Sequence, residues 1–181
     1  MTQATSDLTN SPRLESGAPA VLSIEGLVEL HSPIMYRTAV AIVNDHALAE
    51  DVVQESMMKA WLALESFRGD SSPRTWLLRI THNTAISMLR KRREDSTAPA
   101  DLPEVNVAGS VEDSAVGRAD AHLAWDALNQ LDPMSRSIVV LREVDGLSYE
   151  EIAEVVGTPV ATVRTRLFRA RQQLTRVGSP R

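Results

Sequence analysis

The chain has 181 residues, of which 43% are hydrophobic, and this is enough apolar material for packed cores. It contains no cysteine, which excludes disulfides, thiolate metal sites and thiol nucleophiles. The sequence has neither an apolar run long enough to cross a bilayer nor a secretory signal at its start, so we expect a cytoplasmic protein without membrane insertion.

The formal net charge is −5, but the charges are segregated along the chain. Residues 90–93 read RKRR and the C-terminal segment is also basic, whereas residues 94–132 carry nine carboxylates and the single base Arg118. Two basic segments joined by an acidic one are compatible with DNA binding. The acidic segment is also expected to compete with DNA for the basic surfaces.

The first part of the chain divides into a tail and a helical domain. Residues 1–22 are rich in Ser, Thr, Pro, Gly and Ala without periodicity, which predicts a disordered tail. Residues 23–95 have helical apolar spacing throughout. We expect one or two helices over residues 24–43, a break at Asn44-Asp45, a helix over residues 47–64, a loop at residues 69–73 and a long helix to about Arg93.

The helix predicted over residues 47–64 has two different faces. Its buried stripe is Val53, Met57, Ala60 and Leu64, at spacings of +4, +3 and +4. The opposite face carries Asp51, Glu55, Met58 and Leu62, with Gln54 beside them. Apolar side chains next to carboxylates are typical of the centre and rim of a docking surface, so we interpret this face as a partner-binding site. An ordinary exposed face with stray apolar groups is the alternative.

The helix that follows Pro73 has a chemically mixed side. Trp76, Arg79, Asn83 and Arg90 share it. An aromatic ring, an amide and cations suit single-stranded DNA better than a duplex groove. Because Leu77, Leu78 and Ile80 show how much of this helix is core, Trp76 is equally consistent with simple packing.

Residues 96–118 have the Pro- and Gly-containing composition of a flexible acidic linker, and residues 119–181 form a second helical domain. We expect helices near residues 120–131 and 135–144, separated by Asp132-Pro133, and then a turn at Asp145-Gly146. A helix-turn-helix follows. Ser148 caps its first helix, whose inward positions are Ile152, Ala153 and Val156. Gly157 supplies the turn, and Pro159 opens the second helix.

The second helix of this pair is predicted to bind duplex DNA. Its buried stripe is Val163, Leu167, Ala170 and Leu174, and off this stripe lie Arg164, Thr165, Arg166, Phe168, Arg169 and Arg171. From Val160 onward there are six arginines and no carboxylate, so we expect no local neutralisation. Arginine clamps phosphates and reads guanine, and we assign a base contact to Phe168. A solvated basic face with Phe168 packed on a neighbour is the alternative.

The sequence offers little support for catalysis or for a metal or other cofactor. The four histidines are scattered, and none belongs to an HExxH motif or lies near a credible nucleophile. The polar cluster around His46 is typical of a capped helix start rather than of a metal site. We therefore expect a protein that is not an enzyme.

Three segments together resemble the extracytoplasmic-function (ECF) group of bacterial RNA polymerase sigma factors. They read DVVQESMMKAW at residues 51–61, FRGDSSPRTWLLRITHNTAISMLRKRR at residues 67–93 and LSYEEIAEVVGTPVATVRTRLFRARQQL at residues 147–174. The resemblance implies an all-α, two-domain initiation factor whose partners are core RNA polymerase, through its β′ clamp coiled coil and its β subunit, and promoter DNA. An anti-sigma factor is a further partner that the resemblance allows.

The resemblance also assigns residues to these roles. Asp51, Gln54 and Glu55 match the family's DxxQE docking motif, next to Met58 on the same face. The downstream promoter element is assigned to Phe67, Arg68, Gly69, Asp70, Ser71 and Ser72 of the loop and to Trp76, Arg79, Asn83 and Arg90 of the following helix. The upstream element is assigned to Thr162, Arg164, Thr165, Phe168 and Arg169. Members typically have Gly-Thr-Val where this chain has Ala161, Thr162 and Val163, which puts close approach of that turn to a phosphate in question.

A function of another class remains as the alternative. A stand-alone helix-turn-helix regulator that binds duplex DNA as a dimer would account for the second domain. It would leave the docking face of the 47–64 helix and the mixed side around Asn83 without a role.

Overall fold

The computed structural model describes residues 24–95 and 124–177, and every regular element in these two ranges is helical. The predicted all-α fold with two helical domains is confirmed, and we call the two described ranges the first and the second domain. The predicted tail, the acidic linker and the domain boundaries between residues 96 and 123 lie outside the described residues. None of the described helices is both long and apolar enough to cross a bilayer.

The first domain contains three helices. Helix α1, Ile24–Val43, ends where Asn44 adopts a positive φ of 52°. Helix α2, His46–Ala63, begins with Asp45 as its N-cap, whose carboxylate accepts a hydrogen bond from the Leu48 amide at 3.0 Å, and it continues into a 3₁₀ turn, Leu64–Ser66. Helix α3, Pro73–Asp95, follows the loop at residues 67–72. The predicted breaks therefore lie where the chain turns.

The second domain differs from the sequence prediction in one element. Residues 124–129 form helix α4, and α5, Pro133–Val139, is capped by Asp132. The helix expected to run through residue 144 changes into a π-helical turn, Val140–Val144, in which the Asp145 amide donates to the Val140 carbonyl at 3.1 Å. Apolar spacing does not register this change because widening one turn leaves the buried Val140 and Leu141 inside the core.

The helix-turn-helix is formed as predicted. Helix α6, Tyr149–Val156, has a reciprocal capping box between Ser148 and Glu151, and Gly157 ends it in the left-handed region at φ 66°. Helix α7, Val160–Val177, buries Val163, Leu167 and Ala170 and half-buries Leu174. One inward assignment on α6 needs correction: Val155 is completely buried, whereas Ala153 is only partly buried.

The two domains pack against each other. Helix α1 lies against α5 and the π-helical turn, and α3 lies against α6. The buried apolar side chains of both domains form one continuous cluster, from Leu27 and Met35 to Leu167 and Ala170. This arrangement brings the helix that carries Asn83 next to the first helix of the helix-turn-helix.

Candidate docking and nucleic-acid surfaces

The four predicted docking residues lie together on one surface of α2. Asp51, Gln54 and Met58 are exposed, and the Glu55 side chain is 46% exposed. All four line a groove of about 880 Å³ between α2 and α3. Its other lining residues include the cations Lys59, Lys91 and Arg92. The groove is therefore lined by both carboxylates and cations. We call this surface the α2 groove.

An exposed tryptophan extends this surface and was not among the residues predicted to dock. Trp61 is 65% exposed and Leu62 is 76% exposed, and both follow Met58 by about one helical turn. Large apolar side chains in adjacent exposed positions are unusual on a solvated helix. The signal was available in the sequence, because Trp61 lies off the stripe formed by Val53 and Ala60.

The loop before α3 rests on an aromatic pair. The rings of Phe67 and Trp76 are 4.9 Å apart between centroids and tilted by 44°, and Trp76 is only 7% exposed. Trp76 is therefore packed in the core, which was the alternative interpretation of this residue. The hydroxyl of Ser72 accepts from the Thr75 amide at 3.1 Å, so it serves as the cap of α3. The exposed loop residues are Arg68, Gly69, Asp70 and Ser72, and Ser71 is half-buried.

The remaining predicted residues of α3 are accessible. Arg79, Asn83 and Arg90 are exposed, but the two arginines have carboxylate partners. Arg79 lies 3.5 Å from Glu154 of the second domain, and Arg90 lies 3.7 Å from Glu94. The neighbouring His82 is 3% exposed, and its burial lowers the pKa of the imidazole. This side of α3 therefore presents the Asn83 amide and the cations Arg79 and Arg90. The neutral imidazole of His82 is buried next to them.

The outer face of α7 is arranged as the sequence predicts. Arg164, Thr165, Phe168 and Arg169 are exposed, with Phe168 at 61%, and Thr162 is half-buried. The hydroxyl of Thr165 donates to the Ala161 carbonyl at 2.9 Å. Arg164 lies over the Tyr149 ring, 5.3 Å from its centroid. The exposure of Phe168 contradicts the alternative in which it packs on a neighbour.

The expectation that the α7 arginines are not neutralised locally is wrong for three of them. Arg164 lies 3.9 Å from Glu150, Arg166 lies 3.6 Å from Asp132, and Arg171 lies 2.5 Å from Glu143. These carboxylates belong to earlier elements, so counting charges along α7 could not reveal them. All three arginines remain at least 41% exposed, and such pairs contribute little energy in water. Arg169 has no carboxylate partner among the described residues.

The polar cluster around His46 has structural roles. Asp45 caps α2 and lies 2.6 Å from Arg92, and the hydroxyl of Tyr36 lies 2.7 Å from Nδ1 of His46. These contacts fit the interpretation of a capped helix start. Within residues 24–95 and 124–177, no group of three or more His, Asp or Glu side chains is placed to hold a metal ion.

Two family descriptions match the chain, in the order of its two domains. "Sigma-70 region 2" matches residues 27–94 and "Sigma-70, region 4" matches residues 122–174. The chain is 37% identical over 134 residues to the ECF RNA polymerase sigma-E factor of Haemophilus influenzae, covering 68% of this chain and 71% of the relative. It is 39% identical over 134 residues to the protein of the same name from Escherichia coli K12, covering 68% and 70%.

Two solved structures have the same overall fold. The sigma factor RpoE of Bartonella quintana, in complex with the anti-sigma factor NepR, aligns with a TM-score of 0.67 at 28% identity, covering 84% of this chain and 94% of that one. CnrH, in complex with the cytosolic domain of CnrY, aligns with a TM-score of 0.63 at 28% identity, covering 85% and 86%.

Proposed function

The chain belongs to the ECF group of the sigma-70 family, and from this premise we propose which of its surfaces bind core polymerase and the two promoter elements. It is a transcription initiation factor that directs core RNA polymerase to promoters. Sigma factors are non-enzymatic, so the polymerase performs the chemistry. The alternative of a stand-alone regulator is not favoured, because the relatives match both domains.

The α2 groove is the proposed docking site for the β′ clamp coiled coil. Its support is the grouping of Asp51, Gln54, Glu55 and Met58 on one exposed surface, continued by Trp61. Apolar groups at the centre with charges at the rim give affinity and orientation respectively. A contact of the second domain with the β subunit remains a prediction from the family.

The loop at residues 67–72 and the exposed side of α3 are the proposed reader of the downstream element as single-stranded DNA. Asn83 offers an amide for a base edge, and Arg79 and Arg90 offer cations for phosphates. The Phe67–Trp76 pair supports the loop from beneath. In this role Phe67, Arg68, Gly69, Asp70, Ser71 and Ser72 shape the pocket, and Trp76 holds it in place.

The outer face of α7 is the proposed reader of the upstream element as duplex. A helix of this kind fits the major groove with its exposed side chains towards the bases. Arg169 and Phe168 are the central groups because both are exposed and Arg169 has no carboxylate partner within residues 24–95 and 124–177. Arg164, Thr165 and Thr162 flank them. Because the similar RpoE structure is a complex with the anti-sigma factor NepR, we also propose such a protein as a partner of this chain.

The docking assignment is tested by reversing charge inside and outside the α2 groove. Asp51→Lys with Glu55→Lys should weaken binding to core polymerase at least tenfold, about 1.4 kcal/mol, because like charges across an interface are penalised. The matched control is Glu29→Lys with Asp126→Lys, which makes the same change of charge at exposed positions outside the groove and away from Trp61. Fluorescence anisotropy measures affinity and circular dichroism measures helicity. A folded groove variant with the affinity of the control would refute the assignment.

A further inference from the structure

We propose that the free chain is held closed by polar contacts between its two domains, centred on Asp145, and that the closed state withholds Arg79 of α3 from the downstream element through its ion pair with Glu154. The first half of the proposal concerns conformation alone. The second half rests on the proposed function of α3.

Asp145 is a residue of the second domain that is held by two arginines of the first. Its side chain is completely buried, and Oδ1 accepts from Nε of Arg37 at 3.0 Å and from Nη2 of the same guanidinium. Arg74, at the start of α3, donates to the main-chain carbonyl of Asp145. The Asp145-Gly146 turn therefore inserts between α1 and α3.

In a second contact the donor belongs to the second domain and the acceptor belongs to the first. Arg136 of α5 is 5% exposed and donates from Nε to the carbonyl of Ala41, near the end of α1. The last carbonyls of a helix lack partners within it, so a donor from another element satisfies one of them. Arg136 also donates to the side chain of Asn129 at 2.8 Å, which fixes its orientation within the second domain. The second domain thus places two buried charged groups, Asp145 and Arg136, against the first.

The closed arrangement affects the three proposed surfaces differently. Arg79 of α3 is paired with Glu154 of α6, so one cation of the proposed single-strand reader is engaged by the second domain. The α2 groove remains exposed, and so do Phe168 and Arg169 on α7. The docking surface is therefore available, while Arg79 of the downstream reader is ion-paired with the second domain although its side chain stays 45% exposed.

The chemistry of these contacts suits a closure that can be opened. Burying an ion pair requires its charges to give up hydration, and that loss offsets most of their mutual attraction. When the domains separate, the buried Asp145 carboxylate regains water, so opening recovers its lost hydration. Interfaces between domains of one chain commonly permit relative motion, but here the polar latch adds to an apolar cluster that is continuous across both domains, so polymerase must displace both to open the chain.

Energy transfer between two dyes tests the closed state directly. The chain has no cysteine, so Glu65→Cys and Gln172→Cys, both at exposed positions, place one label on each domain of the full-length protein. Arg37→Glu should reduce transfer strongly, because it repels Asp145. Arg37 is 46% exposed, so this change should not unfold the first domain. Arg171→Glu is the matched control, since it makes the same charge change at a pair within the second domain.

The outcomes separate the two halves of the proposal. Equal transfer in the unmodified chain and in Arg37→Glu would overturn the closed state, and this readout involves neither DNA nor polymerase. The pairing of Arg79 is tested with Glu154→Gln, which should raise the affinity of the free chain for single-stranded downstream DNA several-fold in the Arg171→Glu background and not in the Arg37→Glu background. An equal gain in both backgrounds, or none in either, would overturn the pairing of Arg79 alone. Loss of the DNA role of α3 would instead appear as normal promoter opening by Asn83→Ala holoenzyme.

Discussion

Asn83 and Arg169 are the residues on which the division of labour between the two domains depends most directly. Asn83 presents an uncharged amide, which can read the edge of an unpaired base, and it lies about one turn beyond Arg79. Arg169 presents a guanidinium that is free of carboxylates among the described residues, which suits a guanine or a phosphate in the duplex. Substitutions at these positions should therefore have separable effects.

The substitution Asn83→Ala should leave binding to the upstream duplex unchanged and should reduce opening of the downstream element. The alanine removes the hydrogen-bonding amide while keeping the helix intact. Permanganate footprinting of holoenzyme on promoter DNA reports the unpaired thymines. Normal opening on both natural and mutated downstream elements would place the single-strand pocket elsewhere.

Arg169→Ala and Arg171→Ala form a matched pair on α7. Arg169→Ala should weaken upstream binding by about 1–3 kcal/mol if the guanidinium reads a guanine. Arg171→Ala should have a smaller effect, because Arg171 is already paired with Glu143 at 2.5 Å. Titrations of both holoenzymes must use one ionic strength, since phosphate contacts depend on salt. Equal losses from the two substitutions would indicate general charge attraction rather than readout by Arg169.

His82 gives the stability of the first domain a dependence on pH. Burial lowers its pKa from the ordinary 6.5, so the folded protein keeps the imidazole neutral while the unfolded chain takes up a proton. The contribution of the neutral His82 side chain to the stability of the folded state is complete above pH 6.5 and is lost as pH falls through that value. The free energy of unfolding should fall with a slope of at most about 1.4 kcal/mol per pH unit from this group.

The variant His82→Leu should flatten this dependence because the leucine cannot be protonated. Denaturant unfolding at about pH 7.5 and about pH 5.5 measures the difference for both proteins. His31→Gln is the comparison variant, since burial also lowers the pKa of His31 but its side chain is only partly buried. An unchanged difference in His82→Leu would show that protonation of His82 does not limit stability.

At the scale of elements, the turn of the helix-turn-helix depends on one backbone conformation. Gly157 has φ 66°, and a Cβ added there would meet nothing within 4 Å. Gly157→Ala should therefore cost about 1–2 kcal/mol through backbone strain alone, without a steric clash. Thermal unfolding followed by circular dichroism measures this loss. If Ala161→Gly lowers the stability by a similar amount, the cause would be different. Ala161 lies inside α7, where glycine lowers helix propensity by about 1 kcal/mol.

Helix ends and buried stripes followed from the sequence because their causes are local. Ser148 and Asp45 cap helices through their own side chains, and Val163 and Leu167 repeat at helical spacing. The π-helical turn at Val140–Val144 did not follow, because the hydrogen bond that defines it leaves the apolar pattern unchanged. Contacts with distant elements were also beyond a local pattern. Phe67 packs against Trp76, and carboxylates from earlier elements pair with Arg164, Arg166 and Arg171 of α7.

At the scale of the whole molecule, two mechanisms would keep the free protein from binding DNA. The sequence indicates the first, an acidic linker tethered beside basic surfaces, and these residues lie outside the described part of the chain. The described helices indicate the second, in which Asp145 holds the domains together and Arg79 is paired with Glu154. The mechanisms are separable because one depends on carboxylates of the linker and the other on contacts between the two domains.

The isolated full-length protein should therefore bind promoter DNA poorly and gain specificity only with core polymerase. Docking would hold the domains apart, remove the competition by the linker and fix the spacing at which both elements are read. Gel-shift titrations at one ionic strength should compare free protein, holoenzyme, Arg37→Glu and a variant with the linker carboxylates Asp101, Glu104, Glu112 and Asp113 changed to amides.

Each variant addresses one of the two mechanisms. A gain in DNA affinity of the free chain from the amide variant alone would identify the linker as the competitor. A gain from Arg37→Glu alone would identify the closed arrangement, because that substitution adds negative charge and would otherwise weaken attraction to DNA. In holoenzyme both variants should bind promoters nearly as the unmodified chain does, since docking has already separated the domains. Tight, sequence-specific binding by the free unmodified protein would contradict both mechanisms, because the linker competes for the basic surfaces and the closed arrangement engages Arg79 of the downstream reader before polymerase is bound.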